Sequence, residues 1–372
     1  MQGIHRIKLL RAPFVLALTI AAAYGSQDAV AQATQHYTQT NLVSNMASLA
    51  PTRDANLVNA WGLSRSSKSP WWVSDNGPGL STLYTGTGAV QGLVVTIPPG
   101  NTDSKTGTPT GTVFNGDANA FQIAPGKAAT FLFVTEDGTV SGWNPGVQAT
   151  QAVVTVHSKN SVFKGATIAT AETSDGPKSF LYVADFRKGR IAVFDSSFNP
   201  VNLSDRFEDE RLPDGYAPFN VQNIGGNLYV AYAKQGSGKH DEVDGAGRGF
   251  VDVFSARGRL LNRLEAGPWF NAPWGLAMAS SDFGSHSHDV LVGQFGSGEI
   301  LAFDAVTGKF KEKLQDSTNK PIHIDGLWAI AFGNDASAGP ATTLYFTAGP
   351  DNEANGLFGS LTAVENVQGN DR

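Results

Sequence analysis

The amino-acid sequence predicts an all-β protein built from six similar units, and two observations lead to this fold class. The first is a short motif with Asn or Asp before Trp and a small residue, which is repeated at 59–63, 271–276 and 325–328. Weaker copies begin at Asn119, Lys164 and Asn220, so the six starts are 45 to 60 residues apart. The second is a β-branched or aromatic run after each start, with Gly, Asn or Asp between runs.

Each unit has room for four short strands. The second strands are predicted at 72–75, 133–136, 182–185, 229–232, 291–294 and 345–348. Third strands follow in most units, and a fourth is visible at 93–97 and 260–264. Four strands in about 53 residues are typical of one propeller blade, so the sequence predicts a six-bladed β-propeller with four-stranded blades.

The last unit contains only three predicted strands and ends near Leu361. The segment 37–43 precedes the first unit and reads as a strand without a local partner. We therefore predict that this N-terminal strand joins the last blade as its outer strand, which closes the ring and covers two sheet edges.

The N-terminus has the pattern of an export signal. Basic residues come first, an apolar run follows at 14–23, and Ala29-Val30-Ala31 fits an A-x-A cleavage site. The predicted organisation is a signal peptide at 1–31, one propeller domain at 32–365 and a polar tail at 366–372. We expect an exported protein, periplasmic or extracellular, with no membrane span after cleavage of the signal.

Composition excludes several classes of function. The 372 residues carry a net charge of −6, which disfavours a nucleic-acid partner. The chain has no Cys, so it has no disulfide framework, thiolate zinc site or iron–sulfur cluster. P-loop, dinucleotide-binding and G-x-S-x-G patterns are missing, and we expect no nucleotide, haem or Fe–S cofactor.

The chain resembles an uncharacterised family of exported bacterial β-propeller proteins related to the NHL-repeat propellers, some of which carry a C-terminal PEP-CTERM sorting tail. The segments that carry the resemblance are 41–44, 57–62, 135–138, 141–145, 271–276, 325–328 and 356–360. The last residues of this chain do not show the tail, which puts surface anchoring in doubt. The resemblance implies a propeller fold and export, and it implies no reaction.

The resemblance also implies which face of the propeller holds a ligand. On that face each innermost strand begins, and the turn between the second and third strands lies beside it. Two rings of polar residues are expected there, an inner ring and a turn ring. The inner ring is Asn59, Asn119, Lys164, Asn220, Asn271 and Asp325, and the turn ring is Asp75-Asn76, Glu136-Asp137, Asp185, Tyr232, Gln294 and Asp351.

These rings supply the candidate site residues. Carboxylate and amide oxygens suit Ca²⁺ or Mg²⁺, and the resemblance to six-bladed lactonases implies such an ion. The candidate metal ligands are Glu136, Asp185, Asn271 and Asp325, and the candidate ligand-binding residues are Asn59, Asp75, Asn220, Tyr232 and Gln294. His323 is the candidate general base, because a nearby carboxylate could orient its ring. The alternative is that Asn and Asp only cap turns at these positions.

Two functions remain open on the sequence. One is a binding module that takes a small molecule, a glycan or a protein at its polar tunnel mouth. The other is a divalent-metal-dependent hydrolase or lyase, lactonase-like or esterase-like, acting at the same face. The Gly-rich turn at 234–249 is either a solvated loop or a lid over that face.

Overall fold

The computed structural model of the protein describes residues 35–100, 104–203 and 206–364, and their strands form six antiparallel blades of four main strands. The innermost strand of every blade contacts that of the next, and the sixth contacts the first, so the ring is closed. The six-bladed propeller predicted from the sequence is therefore confirmed. The predicted signal peptide and the polar tail at 366–372 lie outside the described residues.

The blades follow one another along the chain. The innermost strands are β3 (Ala60–Ser64), β7 (Pro109–Phe114), β13 (Phe163–Thr173), β17 (Tyr216–Ile224), β21 (Pro273–Met278) and β25 (Leu327–Phe332). The second strands are β4 (Trp71–Asp75), β10 (Phe131–Thr135), β14 (Gly176–Asp185), β18 (Asn227–Lys234), β22 (Val290–Gln294) and β26 (Leu344–Ala348).

The third and outer strands complete the blades. The third strands are β5 (Leu80–Tyr84), β11 (Thr139–Trp143), β15 (Arg190–Phe194), β19 (Gly249–Ser255), β23 (Ile300–Phe303) and β27 (Leu357–Ala363). The outer strands are β6 (Val95–Thr96), β12 (Val153–His157), β16 (Pro200–Val201), β20 (Leu260–Arg263), β24 (Phe310–Lys313) and β1 (Tyr37–Ser44). Three short strands are β2 (Thr52–Arg53), β8 (Gln122–Ala124) and β9 (Lys127–Ala128).

The second blade begins ten residues earlier than the repeat predicted. Its innermost strand is β7, which pairs with β10, whereas Asn119 lies in the connection between them and is exposed. The placement of Asn119 in the inner ring was therefore wrong. With β7 in place, the innermost strands start 49, 54, 53, 57 and 54 residues apart, a more regular period than the predicted one.

The N-terminal strand closes the ring, as predicted. β1 pairs antiparallel with β27 from Tyr37–Ala363 to Ser44–Leu357, and so forms the outer strand of the sixth blade. Val43 and Tyr37 are almost fully buried. The Tyr37 hydroxyl donates a hydrogen bond to the Phe283 carbonyl at 3.0 Å, and its ring lies 4.6 Å from the Phe283 ring. This contact ties the sixth blade to the fifth.

Apolar clusters fill the spaces between blades. One cluster joins blades five and six around Leu291 and Phe346, and another joins blades three and four around Tyr182 and Val230. In the described part of the chain the helical structure is a single 3₁₀ turn, Gly284–His286, and no helix has the length and apolar character needed to cross a membrane.

Glycine residues let neighbouring innermost strands approach one another closely around the central channel. A Cβ atom at Gly62 would collide with the backbone of Thr110 and Thr112, and one at Gly111 would collide with the backbone of Ala166. Glycine at these positions is therefore required for the close approach of neighbouring blades.

Candidate functional site

An aromatic layer closes the central channel. Trp61 stacks on Trp328 with ring centroids 3.5 Å apart, and Trp274 meets both rings edge-on at 6.2 and 5.9 Å. Phe295 stacks on the other side of Trp328 at 4.0 Å. These tryptophans come from the recurring motif at the start of three innermost strands. They pack against each other across the channel and separate its two ends.

A buried lysine lies in this layer. The side chain of Lys164 is 1% exposed, and its ammonium nitrogen Nζ lies 4.8 Å from the centroid of the Trp61 ring. Nζ donates a hydrogen bond of 2.7 Å to Oε1 of Glu136, whose side chain is 12% exposed. Burial alone lowers the pKa of Lys164, but Glu136, Glu242 and Asp241 offset this effect, and the net pKa is raised. Lys164 is therefore an ammonium ion at neutral pH.

Two asparagines connect Glu136 to a second carboxyl group. Asn76 donates a hydrogen bond from Nδ2 to Oε2 of Glu136 at 2.9 Å, and Asn59 donates from Nδ2 to Oε2 of Glu353 at 3.0 Å. Asn59 also donates to Oδ1 of Asn76 at 3.3 Å and accepts a hydrogen bond from Nε1 of Trp328 at 3.1 Å. The aromatic layer thereby fixes the amide that orients Glu353.

An unusual turn of the sixth blade presents Glu353. Three consecutive non-glycine residues, Asp351, Asn352 and Glu353, have left-handed φ angles of 58°, 52° and 66°. Such a run is strained, and strain of this kind concentrates at functional sites. Asp325 supports the turn, because its Oδ2 accepts a hydrogen bond from the backbone N–H of Asp351 at 2.9 Å.

The long turn of the fourth blade reaches the same place. It carries His240, Asp241 and Glu242 between β18 and β19, and Asp241 Oδ1 lies 3.8 Å from Lys164 Nζ. Nδ1 of His240 and Oδ1 of Asp241 are 2.6 Å apart. The turn is anchored by the fifth blade, since Oδ1 of Asn271 accepts a hydrogen bond from the N–H of Gly245. The turn at 234–249, which the sequence leaves open as a solvated loop or a lid, is thus held to the fifth blade at Gly245.

We call the set Asn59, Asn76, Glu136, Lys164, Asp241, Glu242 and Glu353 the acidic mouth. It contains four carboxyl groups and one lysine, so its carboxylates are not fully neutralised. Burial raises the pKa of Glu353 to about 7, with further contributions from Glu242 and Glu136. Burial also raises the pKa of Glu242, although Lys164 opposes the shift. A cation close to these two carboxyl groups would favour their ionised forms.

Glu353→Gln is expected to remove a pH dependence of stability. The folded-state pKa of Glu353 is raised from 4.5 to about 7, so its contribution to stability is complete below pH 4.5 and is lost as the pH rises through 7. We expect the wild-type urea midpoint to fall over this interval and the variant's midpoint to fall less. The matched control is Glu172→Gln, at an exposed position in the third blade. Equal pH profiles for wild type and Glu353→Gln would show that Glu353 titrates normally.

Comparison with known proteins places the chain in a family without assigning it an activity. No family model matches the chain. Uncharacterized protein L690 of Acanthamoeba polyphaga mimivirus is 31% identical over 350 residues, covering 91% of this chain and 88% of that protein. Uncharacterized protein R648 of the same virus is 30% identical over 336 residues, covering 86% and 78%. This chain belongs to their family.

Solved structures of similar shape share the propeller fold. A protein of unknown function from Bacteroides thetaiotaomicron matches with a TM-score of 0.55 and 11% identity, over 89% of this chain and 77% of that one. A streptogramin B lyase (TM-score 0.49, 10% identity, 89% and 98% covered) and the calcium-binding protein regucalcin from Agrobacterium tumefaciens (0.49, 12%, 82% and 90%) are also similar. At these identities the likeness extends to the fold alone.

The structure brings one of the five predicted ligand-binding residues, Asn59, into the acidic mouth. Asp75 is fully buried at the end of β4, and burial raises its pKa well above the usual range. Tyr232 lies in the apolar cluster between blades three and four. Gln294 is buried and accepts a hydrogen bond from the N–H of Asn271 at 2.8 Å. Asn220 donates to the Trp274 carbonyl at 2.7 Å, on the other side of the aromatic layer.

The predicted metal ligands are spread over separate places. Glu136 is in the acidic mouth, but Asp185 is buried and accepts a hydrogen bond from Ser161 Oγ at 2.8 Å. Asn271 anchors the long turn, and Asp325 is exposed and supports the turn that carries Glu353. In the part of the chain that is described, Glu136, Asp185 and Asp325 do not come together as one cluster.

The predicted general base is not oriented by a carboxylate. His323 is exposed and forms no hydrogen bond with the described residues, and the Asp325 carboxylate bonds to the backbone of Asp351 instead. The candidate site residues predicted from the sequence did not include Glu353, and they did not include Glu242, which lies in the Gly-rich turn at 234–249. Glu353 follows the predicted turn residue Asp351 by two positions, and a signal for it was the dense Asp-Asn-Glu run of that turn.

Proposed function

We propose that the protein is a ligand-binding propeller whose acidic mouth takes a small organic cation such as an amine or a guanidinium. The observation that carries the proposal is the convergence of Glu136, Glu242 and Glu353 from three different blades around a single ammonium group, that of Lys164. Lys164 already satisfies Glu136. The other two carboxyl groups are half-buried, and burial is the main cause of their raised pKa values, which Lys164 opposes only in part.

A bound cation supplies the missing charge. It stabilises the ionised forms of Glu242 and Glu353, and a charge-assisted hydrogen bond to each carboxylate is stronger than a neutral one. The site is already organised, because Asn59 holds Glu353 and is itself held by Trp328. A preorganised site loses little conformational entropy on binding. Export of the mature protein, expected from residues 1–31, is part of the same proposal and places the site outside the cytoplasm.

A second candidate function is favoured by a specific cluster. One ligand atom each from Glu136, His240 and Asp241 lies within 4.8 Å of the others, which is a spacing that a metal-dependent hydrolase or lyase could use. However, Lys164 Nζ lies 2.7 Å from Glu136 Oε1 and 3.8 Å from Asp241 Oδ1. An ammonium ion at these distances repels a divalent cation. These residues therefore fit Ca²⁺ or Mg²⁺ poorly while Lys164 remains in place.

The test is a calorimetric titration at pH 8 with 1,5-diaminopentane, and with 1,5-pentanediol as the uncharged analogue. We expect saturable binding of the diamine, at least about tenfold weaker binding to Glu353→Gln, and no effect of Glu172→Gln. Titrations with CaCl₂ and MgCl₂ in the same buffer test the alternative. Tight binding of one divalent ion together with no binding of the diamine would favour the metal-dependent function and overturn the proposal.

A further inference from the structure

A second cavity lies at the far end of the channel, on the side of the aromatic layer opposite the acidic mouth. We call it the far cavity. Its volume is about 400 Å³, and the innermost strands of all six blades contribute to its wall. The aromatic layer closes its inner end, and the ends of the innermost strands form its rim. A cavity of this size holds a small organic molecule.

The wall of the far cavity is mixed, with somewhat more polar than apolar surface exposed to its interior. Leu63, Met278 and Phe332 are half-buried near its rim. Leu276 and Ile330 also line the cavity, but they are almost fully buried in the apolar clusters between blades. Trp71, on β4, also lines it. The surface contributed by these side chains attracts an apolar body and gains free energy when water is displaced.

Arg65 is the one charged residue among those that line the far cavity. Its guanidinium is already engaged, because Nε donates to the Phe332 carbonyl and a terminal nitrogen donates to the Gly333 carbonyl, both at 2.7 Å. No carboxylate lines the cavity among the described residues, so its charge disfavours a cation. The two ends of the channel therefore differ in electrostatic character.

Two polar side chains in the wall have unused hydrogen-bonding capacity. The hydroxyl of Thr112 is buried and has no partner among the described residues. The half-buried Gln222 also lines the cavity, and its amide makes no hydrogen bond within the described chain. A buried polar group without a partner costs free energy, whereas a ligand or a water can satisfy it. By contrast, the amide of Asn223 beside it donates to the Ile168 carbonyl at 3.0 Å and accepts a hydrogen bond from the N–H of Gly226 at 2.9 Å.

We propose that the far cavity is a second binding site, which takes a small uncharged molecule with an apolar part and hydrogen-bonding groups, one of which meets the amide of Gln222. The site is independent of the acidic mouth, because the packed aromatic layer lies between them. The ligand class follows from the wall, which combines polar and apolar surface with hydrogen-bonding groups that have no partner, and which carries the positive charge of Arg65.

The experiment is a ¹⁹F NMR titration of the full-length protein with 5-fluoroindole, with 4-fluorobenzylamine as a cationic probe of similar size. We expect saturable line broadening for fluoroindole. The amine can also bind the acidic mouth, so it is titrated into Glu353→Gln, in which we expect little line broadening. Met278→Trp fills the rim and is expected to weaken binding at least about tenfold, and Gln222→Leu to weaken it about threefold to tenfold through the lost hydrogen bond. Val306→Trp, at a position that is 88% exposed, is the matched control and leaves binding unchanged.

The outcomes separate this site from the mouth. Glu353→Gln is expected to leave fluoroindole binding intact, so a failed diamine titration does not affect the result. If Met278→Trp does not fold, the fluoroindole affinity of Gln222→Leu, compared with that of the wild type, still tests the proposal. The proposal is overturned if fluoroindole shows no saturable binding up to millimolar concentrations, or if Gln222→Leu and Val306→Trp behave alike.

Discussion

Lys164→Met is expected to destabilise the propeller by about 3–5 kcal/mol at pH 8, because removing one partner of a buried ion pair leaves uncompensated carboxylates. Lys164 is the cation nearest to Glu136 and lowers the pKa of both Glu242 and Glu353. Without it, the folded-state pKa values of these carboxyl groups rise further above their unfolded values. The contribution of each to stability is then complete at low pH and is lost as the pH rises. The loss of stability is therefore expected to be smaller at pH 5 than at pH 8.

Urea denaturation at both pH values measures this effect. Lys178→Met is the matched control, because Lys178 is half exposed and pairs with an exposed carboxylate, Asp175, at 2.8 Å. We expect that control to leave the midpoint almost unchanged. Adding Glu136→Gln to Lys164→Met should restore part of the stability, since it removes one unpaired carboxylate. Equal losses for Lys164→Met at pH 5 and pH 8 would contradict the electrostatic explanation.

Removal of the N-terminal strand is expected to have the second large effect. A chain that begins at residue 45 loses β1, and with it the buried side chains of Tyr37 and Val43 and the whole ladder to β27. The two side chains alone account for about 3–6 kcal/mol of burial free energy. This corresponds to a fall in the melting temperature of about 4–9 °C, and the loss of the ladder to β27 adds to it. The exposed edge of β27 is also expected to promote aggregation.

Thermal unfolding of two truncated chains tests the closure. The control begins at residue 35 and keeps β1, and we expect it to melt like the full chain. If the shorter chain does not fold, Tyr37→Ala in the full-length protein is informative, because it removes the contact with Phe283 and is expected to cost about 3–5 kcal/mol. A chain from residue 45 that melts like the control would show that β1 does not hold the ring closed.

The repeating part of the fold was predictable from the sequence. Short apolar strands between turn residues gave five of the six innermost strands near their true positions, and the unpaired segment at 37–43 gave the closing strand. The second blade was misplaced because its innermost strand contains Thr110-Gly111-Thr112, which keeps the glycine but lacks the tryptophan, whereas Asn119-Ala120-Phe121 imitates the motif. The close approach of Gly111 to the backbone of Ala166 explains why the segment with Thr110-Gly111-Thr112, and not the one with Asn119, forms the innermost strand.

The candidate site was less predictable, because it depends on how blades are aligned with each other. Alignment of the repeats on their first residues predicts that Lys164 and Asn220 occupy the same position in their blades as Asn59. In the structure the Lys164 side chain lies in the layer of Trp61, and Asn220 faces the far cavity. A shift of one residue turns a side chain to the opposite face of a strand. Glu353 was missed for another reason: its position depends on a left-handed turn and on the hydrogen bond from Asn59.

The most direct test of the acidic mouth is the number of protons released when 1,5-diaminopentane binds at pH 7. Calorimetry in two buffers with different enthalpies of ionisation gives this number. Because Glu353 has a pKa of about 7, it is about half protonated at this pH, and a bound cation ionises it. The account predicts saturable binding with proton release, tighter at pH 8 than at pH 6, and less release from Glu353→Gln. Binding without proton release, or no difference between the diamine and 1,5-pentanediol, would contradict it.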